Sequence, residues 1–246
     1  MKELTSLNND LIKFVSSLSQ KKFRSENNLF IVEGQKALEG ALTNGYKVKY
    51  LFTLNKDYKF SKQCDEVYLV NNKVMNKIST TESTPEILSV IEKQNFKISN
   101  NLSKVVLLEN IKDCGNLGTI IRSAAAFNID AVILLGDCCD LYSPKTIRSS
   151  VGTFFQMKFF EYKSISQLNK DFDGFKFIST NLHKKSDISV NQIKDKFVLM
   201  FGSEADGLSK EAIKSAENNF VLPINSSVES LNLATAVSII LYELNK

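Results

Sequence analysis

Histidine is almost absent from this chain of 246 residues; the single one is His183. One imidazole cannot build a histidine-rich zinc centre, and it stands in none of the segments singled out below. Zinc hydrolases, nucleobase deaminases and Ser-His-Asp hydrolases are therefore set aside together. Cysteine is scarce too: Cys64, Cys114, Cys138 and Cys139 include no C-x-x-C pair. The adjacent Cys138 and Cys139 cannot easily both reach one tetrahedral ion, so no metal is expected. No apolar run approaches the ~18–20 residues that span a bilayer. The opening MKELTSLNNDLIKF has no apolar signal core followed by a small-residue cleavage site. The expectation is a cytoplasmic protein with no membrane partner. With 43% hydrophobic and 24% charged residues, the composition is that of a folded globular chain.

Charge is unevenly placed. Through Lys104 there are 16 basic and 11 acidic residues, and from Val105 onward 15 and 16. A basic first part suits contact with an anion such as RNA, although a lysine-rich surface also serves solubility alone. Leu7, Leu11, Phe14, Val15 and Leu18 follow a helical stripe, with Asn8, Asn9 or Asp10 as its cap. The basic stretch Lys21-Lys22-Phe23-Arg24 follows. Strands are predicted at Leu29–Val32, Tyr50–Leu54, Val67–Val70 and Ile87–Ile91, and helices at Gln35–Thr43 and Lys73–Ile78. This is enough for a small α/β domain over residues 1–95, followed by a polar linker at 96–103. A longer α/β alternation fills 104–246. Its strands, such as Val105–Leu108, Ala131–Leu135 and Phe197–Phe201, are apolar on both faces, as in a buried parallel sheet. Helices are predicted at Thr119–Phe127, Pro144–Thr153, Lys210–Ala216 and Ser230–Leu244, and a strand at Phe220–Pro223.

Three segments of the second part carry polar groups where chemistry is done. In DCGNLGTIIRSAAAFN (113–128) a strand ends and a loop with Gly115 and Gly118 opens a helix. Glycines there admit a ligand to the backbone, and a helix start favours anions, but the spacing matches neither G-x-G-x-x-G nor a P-loop. Arg122, beside Ser123, Ala124, Ala125 and Ala126, either reaches a phosphate or partner subunit or snorkels to solvent. In MFGSEADGLS (200–209) a strand runs into Gly202 and Glu204, where α/β folds bind ligands. Glu204 would equally complement a helix dipole. In VLPINSSVESLNLATAV (221–237), Ser230 and Asn232 stand at the mouth of the last helix. They suit recognition of a hydroxyl or amide, and Ser230 would also serve as an ordinary N-cap.

In this order and spacing the segments resemble the three sequence motifs of the SpoU/TrmH family of RNA ribose 2′-O-methyltransferases, within the SPOUT superfamily. The resemblance covers roughly residues 104–246, and the stretch with Arg24, Phe30 and Glu33-Gly34 is similar to the small substrate-binding domain of many members. It implies a parallel α/β sheet whose C-terminal part forms a trefoil knot, S-adenosylmethionine bound in that knot, an RNA substrate and a homodimer. Residue by residue, Asn116 and Arg122 match the first motif, Glu204 the second, and Ser230 and Asn232 the third. Thr180, Gly202, Leu222 and Leu231 fall where members hold the cofactor. Two positions depart from the pattern: Cys114 replaces a common proline, and Asn128 a common glycine. Neither removes a functional group.

The implied reaction sets demands of its own. A ribose hydroxyl is a poor nucleophile until its proton leaves, so oxygen, methyl carbon and sulfur must be held in line. A guanidinium with a pKa above ~12 is a demanding base. Arg122 is therefore expected to bind the target phosphate, across the dimer, and to polarise the hydroxyl. Asn116, Ser230 and Asn232 would orient it, while Glu204 orders the site. In the first domain Lys21, Lys22 and Arg24 are the candidate RNA contacts. The rival expectation is a ribosome-assembly or RNA-binding protein that keeps the fold without catalysis. A Rossmann oxidoreductase would need a dinucleotide fingerprint that is absent.

Overall fold

The computed structural model describes residues 1–181, 185–194 and 196–246. His183 lies outside the described residues. The chain forms two compact units, residues 1–95 with 142–156, and residues 96–141 with 157–246. The segment 142–156, expected to belong with the second domain, thus packs with the first.

In chain order the first unit begins β1 (Lys2–Leu4), α1 (Asp10–Ser17), α2 (Lys21–Asn27), β2 (Leu29–Glu33) and α3 (Gln35–Thr43). It continues β3 (Val48–Thr53), β4 (Glu66–Val70), α4 (Asn72–Ile78) and β5 (Ile87–Glu92). The second stretch runs β6 (Lys104–Glu109), α5 (Cys114–Ala126), β7 (Ala131–Leu135), α6 (Pro144–Ser149), β8 (Lys158–Tyr162) and α7 (Ile165–Asp171). It closes with β9 (Lys176–Ser179), β10 (Phe197–Phe201), α8 (Lys210–Ser215), β11 (Asn218–Asn219) and α9 (Leu233–Leu244).

The first unit is a five-stranded mixed sheet in the order β1-β4-β3-β5-β2. Strand side chains alternate, and β2 shows the consequence. Leu29 and Ile31 join Ile12 and Val15 of α1, Leu18 just after it, and Val74, Met75 and Ile78 of α4 in one core. Phe30 points the other way, with its ring 5.0 Å from Tyr142 and 6.0 Å from Phe154. The segment after β7 therefore supplies the aromatic half of this unit's core. Asn9 caps α1 by accepting from the Leu11 N–H at 2.9 Å.

The second unit is a six-stranded, all-parallel sheet in the order β11-β9-β10-β6-β7-β8. Its central strands are apolar and buried past Lys104. On one face Val105 and Leu107 of β6, Ala131 and Ile133 of β7 and Val198 and Met200 of β10 form a core with Leu168 of α7, Phe172 just after it and Ala212 of α8. On α5 and α9 the Ser123 and Ser238 hydroxyls meet at 2.7 Å, and Phe127 meets Tyr242 edge-to-face. The order reverses between β6 and β10, and such a switch point leaves a crevice beyond the strands' C-terminal ends.

The largest changes of limits fall on four predicted elements. The helix expected from Thr119 starts at Cys114, because the Asp113 side chain caps it through the Asn116 N–H at 2.7 Å; Gly115 and Gly118 lie inside it. The helix expected over Pro144–Thr153 stops at Ser149, before Val151 (φ 50°) and Gly152 (φ 85°). The strand expected at Phe220–Pro223 is the two-residue β11, and residues 220–224 run on as irregular chain. The last helix starts at Leu233 and is capped by Asn232, whose side chain accepts from the Thr235 N–H at 3.2 Å; Ser230 is not the cap. Asn128 stands at φ 56°, the left-handed conformation that a glycine would otherwise supply.

Candidate active site

The crevice at the switch point opens into a cavity of about 570 Å³. Its walls come from the ends of β9 and β10, the loop Gly202–Leu208, the irregular chain at 220–224 and the start of α9. Thr180, Gly202, Leu222 and Leu231 all line it, as do Glu204, Ser230 and Asn232. Asn116 and Arg122 are not among the lining residues.

Asn116 nevertheless belongs to the rim. Its side-chain N–H donates to Glu204 Oε1 at 2.6 Å, and its Oδ1 accepts from Asn232 Nδ2 at 3.1 Å. One residue from each of the three segments thus stands in a single hydrogen-bonded row. A carboxylate acceptor makes the first link charge-assisted, hence the stronger. Asn232 does two jobs, since its oxygen also caps α9. Ser230 is exposed on the wall nearby, and Arg122 is exposed on α5.

The loop Gly202–Leu208 is held by its own backbone. The Gly207 N–H donates to Ser203 O at 3.0 Å, and the Asp206 N–H to Ser203 Oγ at 3.1 Å. A Cβ at position 202 would run into the backbone of Gly207 and Leu208. Glycine is required there by the chain's own return, in addition to any ligand. Thr180 spends its hydroxyl on the Met200 carbonyl at 2.8 Å, so it shapes the wall through its backbone and methyl group.

Glu109 went unnoticed in the sequence. It ends β6, is 5% exposed, and accepts from the Ser209 N–H at 2.7 Å, fixing the far end of the 202–208 loop. A single acid ending an apolar strand was the available signal. Phe220 and Ile224 flank Leu222 on the cavity wall with the same alternation, which the sequence displayed but motif matching passed over. The neighbouring thiols are not activated: burial pushes both Cys138 and Cys139 up, and Cys114 beside Cys139 adds to that.

In the first unit Arg24 does not face outward. It is 3% exposed, and its guanidinium donates to the carbonyls of Leu18 at 2.7 Å and Ser19 at 2.6 Å, closing the end of α1. The expected RNA contact is corrected to a structural one. Lys21 and Lys22 remain exposed, Lys22 lying 4.0 Å from Glu26 and over the Phe23 ring. Among the described residues no cluster of three His, Cys, Asp or Glu could hold a metal ion, and no helix is long and apolar enough to cross a membrane.

A family model described as the SpoU rRNA Methylase family matches residues 103–242. The chain belongs to this family. An MRM3-like substrate binding domain model matches residues 9–89. The chain is 29% identical over 250 residues to the 23S rRNA (guanosine(2553)-2′-O)-methyltransferase RlmP of Bacillus subtilis, covering 99% of each. It is 31% identical to an uncharacterized tRNA/rRNA methyltransferase of Synechocystis, covering 98% of this chain and 92% of that one. The AdoMet-bound rRNA methyltransferase of Sinorhizobium meliloti superposes with a TM-score of 0.89 at 30% identity, covering 99% and 97% of the two chains. This SpoU methylase therefore shares fold and family with enzymes of RNA methylation along its whole length.

Proposed function

We propose that this SpoU-family chain transfers a methyl group from S-adenosylmethionine to a ribose 2′-hydroxyl of ribosomal RNA. The observation that carries the reading is the row Glu204–Asn116–Asn232, drawn from three distant segments and set on the rim of a ligand-sized cavity. The cavity fits the cofactor. Its volume lies within the ~300–1,000 Å³ range of small-molecule sites. Leu222, Leu231 and Ile240 offer an apolar wall, and Glu204, Asp206 and Glu229 place carboxylates near a ligand that bears positive charge. Thr180, Gly202, Leu222 and Leu231 are the residues proposed to hold it.

When bound, S-adenosylmethionine supplies a methyl group already made electrophilic by its sulfonium. The protein's part is then to place one hydroxyl in line with that methyl group. Asn116 is locked by Glu204 on one side and Asn232 on the other, so its rotamer entropy is lost before substrate arrives. Ser230, on the same wall, is proposed to orient the hydroxyl, and Glu204 to fix Asn116. Arg122 does not line its own chain's cavity. We assign it to the target phosphate at the site of a second copy. Ile239 and Tyr242, 36% and 51% exposed on α9, supply the apolar face for that homodimer.

The test is transfer of radiolabelled methyl to total rRNA and total tRNA from a strain lacking the protein, with Asn116→Ala as control. Label in rRNA, resistant to alkali at a single dinucleotide, is the expected result. Label confined to tRNA would move the substrate. Absence of both label and cofactor binding would hand the fold to a non-catalytic RNA-binding role.

A further inference from the structure

The first unit holds a cation arranged for a ligand. Arg148 stands in the last turn of α6 with its side chain 41% exposed. Its Nη1 donates to Thr80 Oγ1 at 2.8 Å and lies 3.8 Å from Glu33 Oε2. Glu33, at the end of β2, has a side chain only 6% exposed. Its Oε1 accepts from the Thr80 N–H at 2.6 Å, Thr80 Oγ1 at 3.0 Å and Ser79 Oγ at 3.2 Å. Its Oε2 is buried and has no hydrogen-bond partner among the described residues.

An arginine that served only to close an ion pair would settle onto both carboxylate oxygens at roughly 2.7–2.9 Å. Arg148 instead stands off from a carboxylate that keeps one oxygen unpaired. Of five guanidinium donors, the hydrogen bond to Thr80 is the one engaged among the described residues. The buried negative charge and the threonine hydroxyl hold the side chain in place, while its remaining N–H groups stay available. This is pre-organisation for an incoming acceptor, and a planar fork matches phosphate.

The surroundings agree. Lys145, one turn earlier on α6, and Lys36, at the start of α3, are both exposed. Gly152 seats the turn tightly on α3, since a Cβ there would stand 3.2 Å from Lys36 O. Val151, just before Gly152, is 51% exposed and held at φ 50°, its N–H on the Arg148 carbonyl. A β-branched residue in the left-handed region is a strained outlier, and such residues gather at functional sites. The turn thus keeps an apolar side chain on the surface beside a cation.

We propose that Arg148, positioned by Glu33 and Thr80, is a phosphate contact for the RNA substrate in the first unit, with Lys145 and Val151 on the same exposed segment. The proposal rests on the RNA-methyltransferase reading above and names where in the first unit the substrate is held.

The test measures binding of in vitro-transcribed 23S rRNA across a salt series for wild type, Arg148→Ala, Glu33→Gln and the double variant. Affinity for S-adenosylmethionine and thermal melting are recorded for each. Arg148→Ala should weaken RNA binding about tenfold and lower the salt slope by about one, with cofactor affinity unchanged. Glu33→Gln should weaken RNA binding in the wild-type background and add nothing when Arg148 is already alanine, a coupling that a merely structural role would not show. Should Glu33→Gln fail to fold, Thr80→Val removes the other group holding Arg148 and takes its place in the cycle. Wild-type RNA affinity and salt slope in Arg148→Ala, in an enzyme that methylates rRNA, would overturn this proposal alone. A wild-type protein that binds cofactor but neither binds nor methylates rRNA would overturn the functional reading and this proposal with it.

Discussion

Asn116 and Glu204, 88 residues apart in the chain, meet side chain to side chain at 2.6 Å at the rim of the cavity. Among the described residues, this carboxylate is the one acceptor holding the Asn116 side-chain N–H. Asn116→Ala removes both links of the row and should lower kcat by about 10²-fold, with little change in KM for S-adenosylmethionine. Glu204→Gln keeps an acceptor oxygen for Asn116. If Glu204 only orders the site, Glu204→Gln will retain activity within a few-fold while Glu204→Ala falls with Asn116→Ala. Steady-state kinetics of the three variants decide this. A Glu204→Gln enzyme as slow as Glu204→Ala would give the carboxylate's charge a direct role.

Gly202 is fixed by its own chain. With Gly207 and Leu208 packed where a Cβ would go, Gly202→Ala must displace the loop that carries Glu204. Overpacking of this kind costs about 1–3 kcal/mol. The expected outcome is a lowered melting temperature together with a loss of cofactor affinity that exceeds any loss of RNA affinity. Calorimetric titration beside a melting curve checks both.

What the sequence displayed was governed by distance along the chain. Ala131–Leu135 and Phe197–Phe201 were legible to the residue, because buried parallel strands are unbroken apolar runs with sharp polar ends. The start of α5 was misread because two glycines outweighed the Asp113 cap that overcomes their poor helix propensity. Arg24 looked like a surface cation because local pattern cannot show the Leu18 and Ser19 carbonyls folding over it. The Glu204–Asn116–Asn232 row was foreseen only as three motifs in order. That they hydrogen-bond depends on the placement of β10 beside β6, which no local periodicity encodes.

Arg24 and the neighbouring lysines should separate cleanly in mutagenesis. Arg24→Ala leaves the buried Leu18 carbonyl and the half-buried Ser19 carbonyl short of their charged donor, at a cost of about 1.5–3 kcal/mol for the buried bond and less for the other. Its effect should be a destabilised first unit, seen in urea unfolding, with the salt slope of RNA binding unchanged at temperatures where the protein is folded. Lys21→Ala with Lys22→Ala removes two exposed charges and should leave stability within about 0.5 kcal/mol. Any loss of salt dependence in that double variant would mark a second RNA-facing surface.

Alkaline pH should weaken the first unit before it ionises fully. Burial pushes the Cys64 thiol up to about 11, with nearby Asp65 adding to the effect, against an ordinary value of 9.0. Burial likewise raises Tyr58, to about 12. In each case the folded state favours the neutral form. The stabilisation is therefore fully present below the unfolded-state pKa and is lost as pH rises through the folded one. For Cys64 that window is pH 9 to 11. Urea unfolding across this range should show stability falling with pH, and Cys64→Ala should make the fall shallower in its lower half, where Tyr58 still carries its proton. An unchanged slope in Cys64→Ala would assign the alkaline loss to the tyrosines alone. The same protonation predicts slow alkylation: at pH 8 iodoacetamide should label Cys64 far more slowly in the folded protein than in urea.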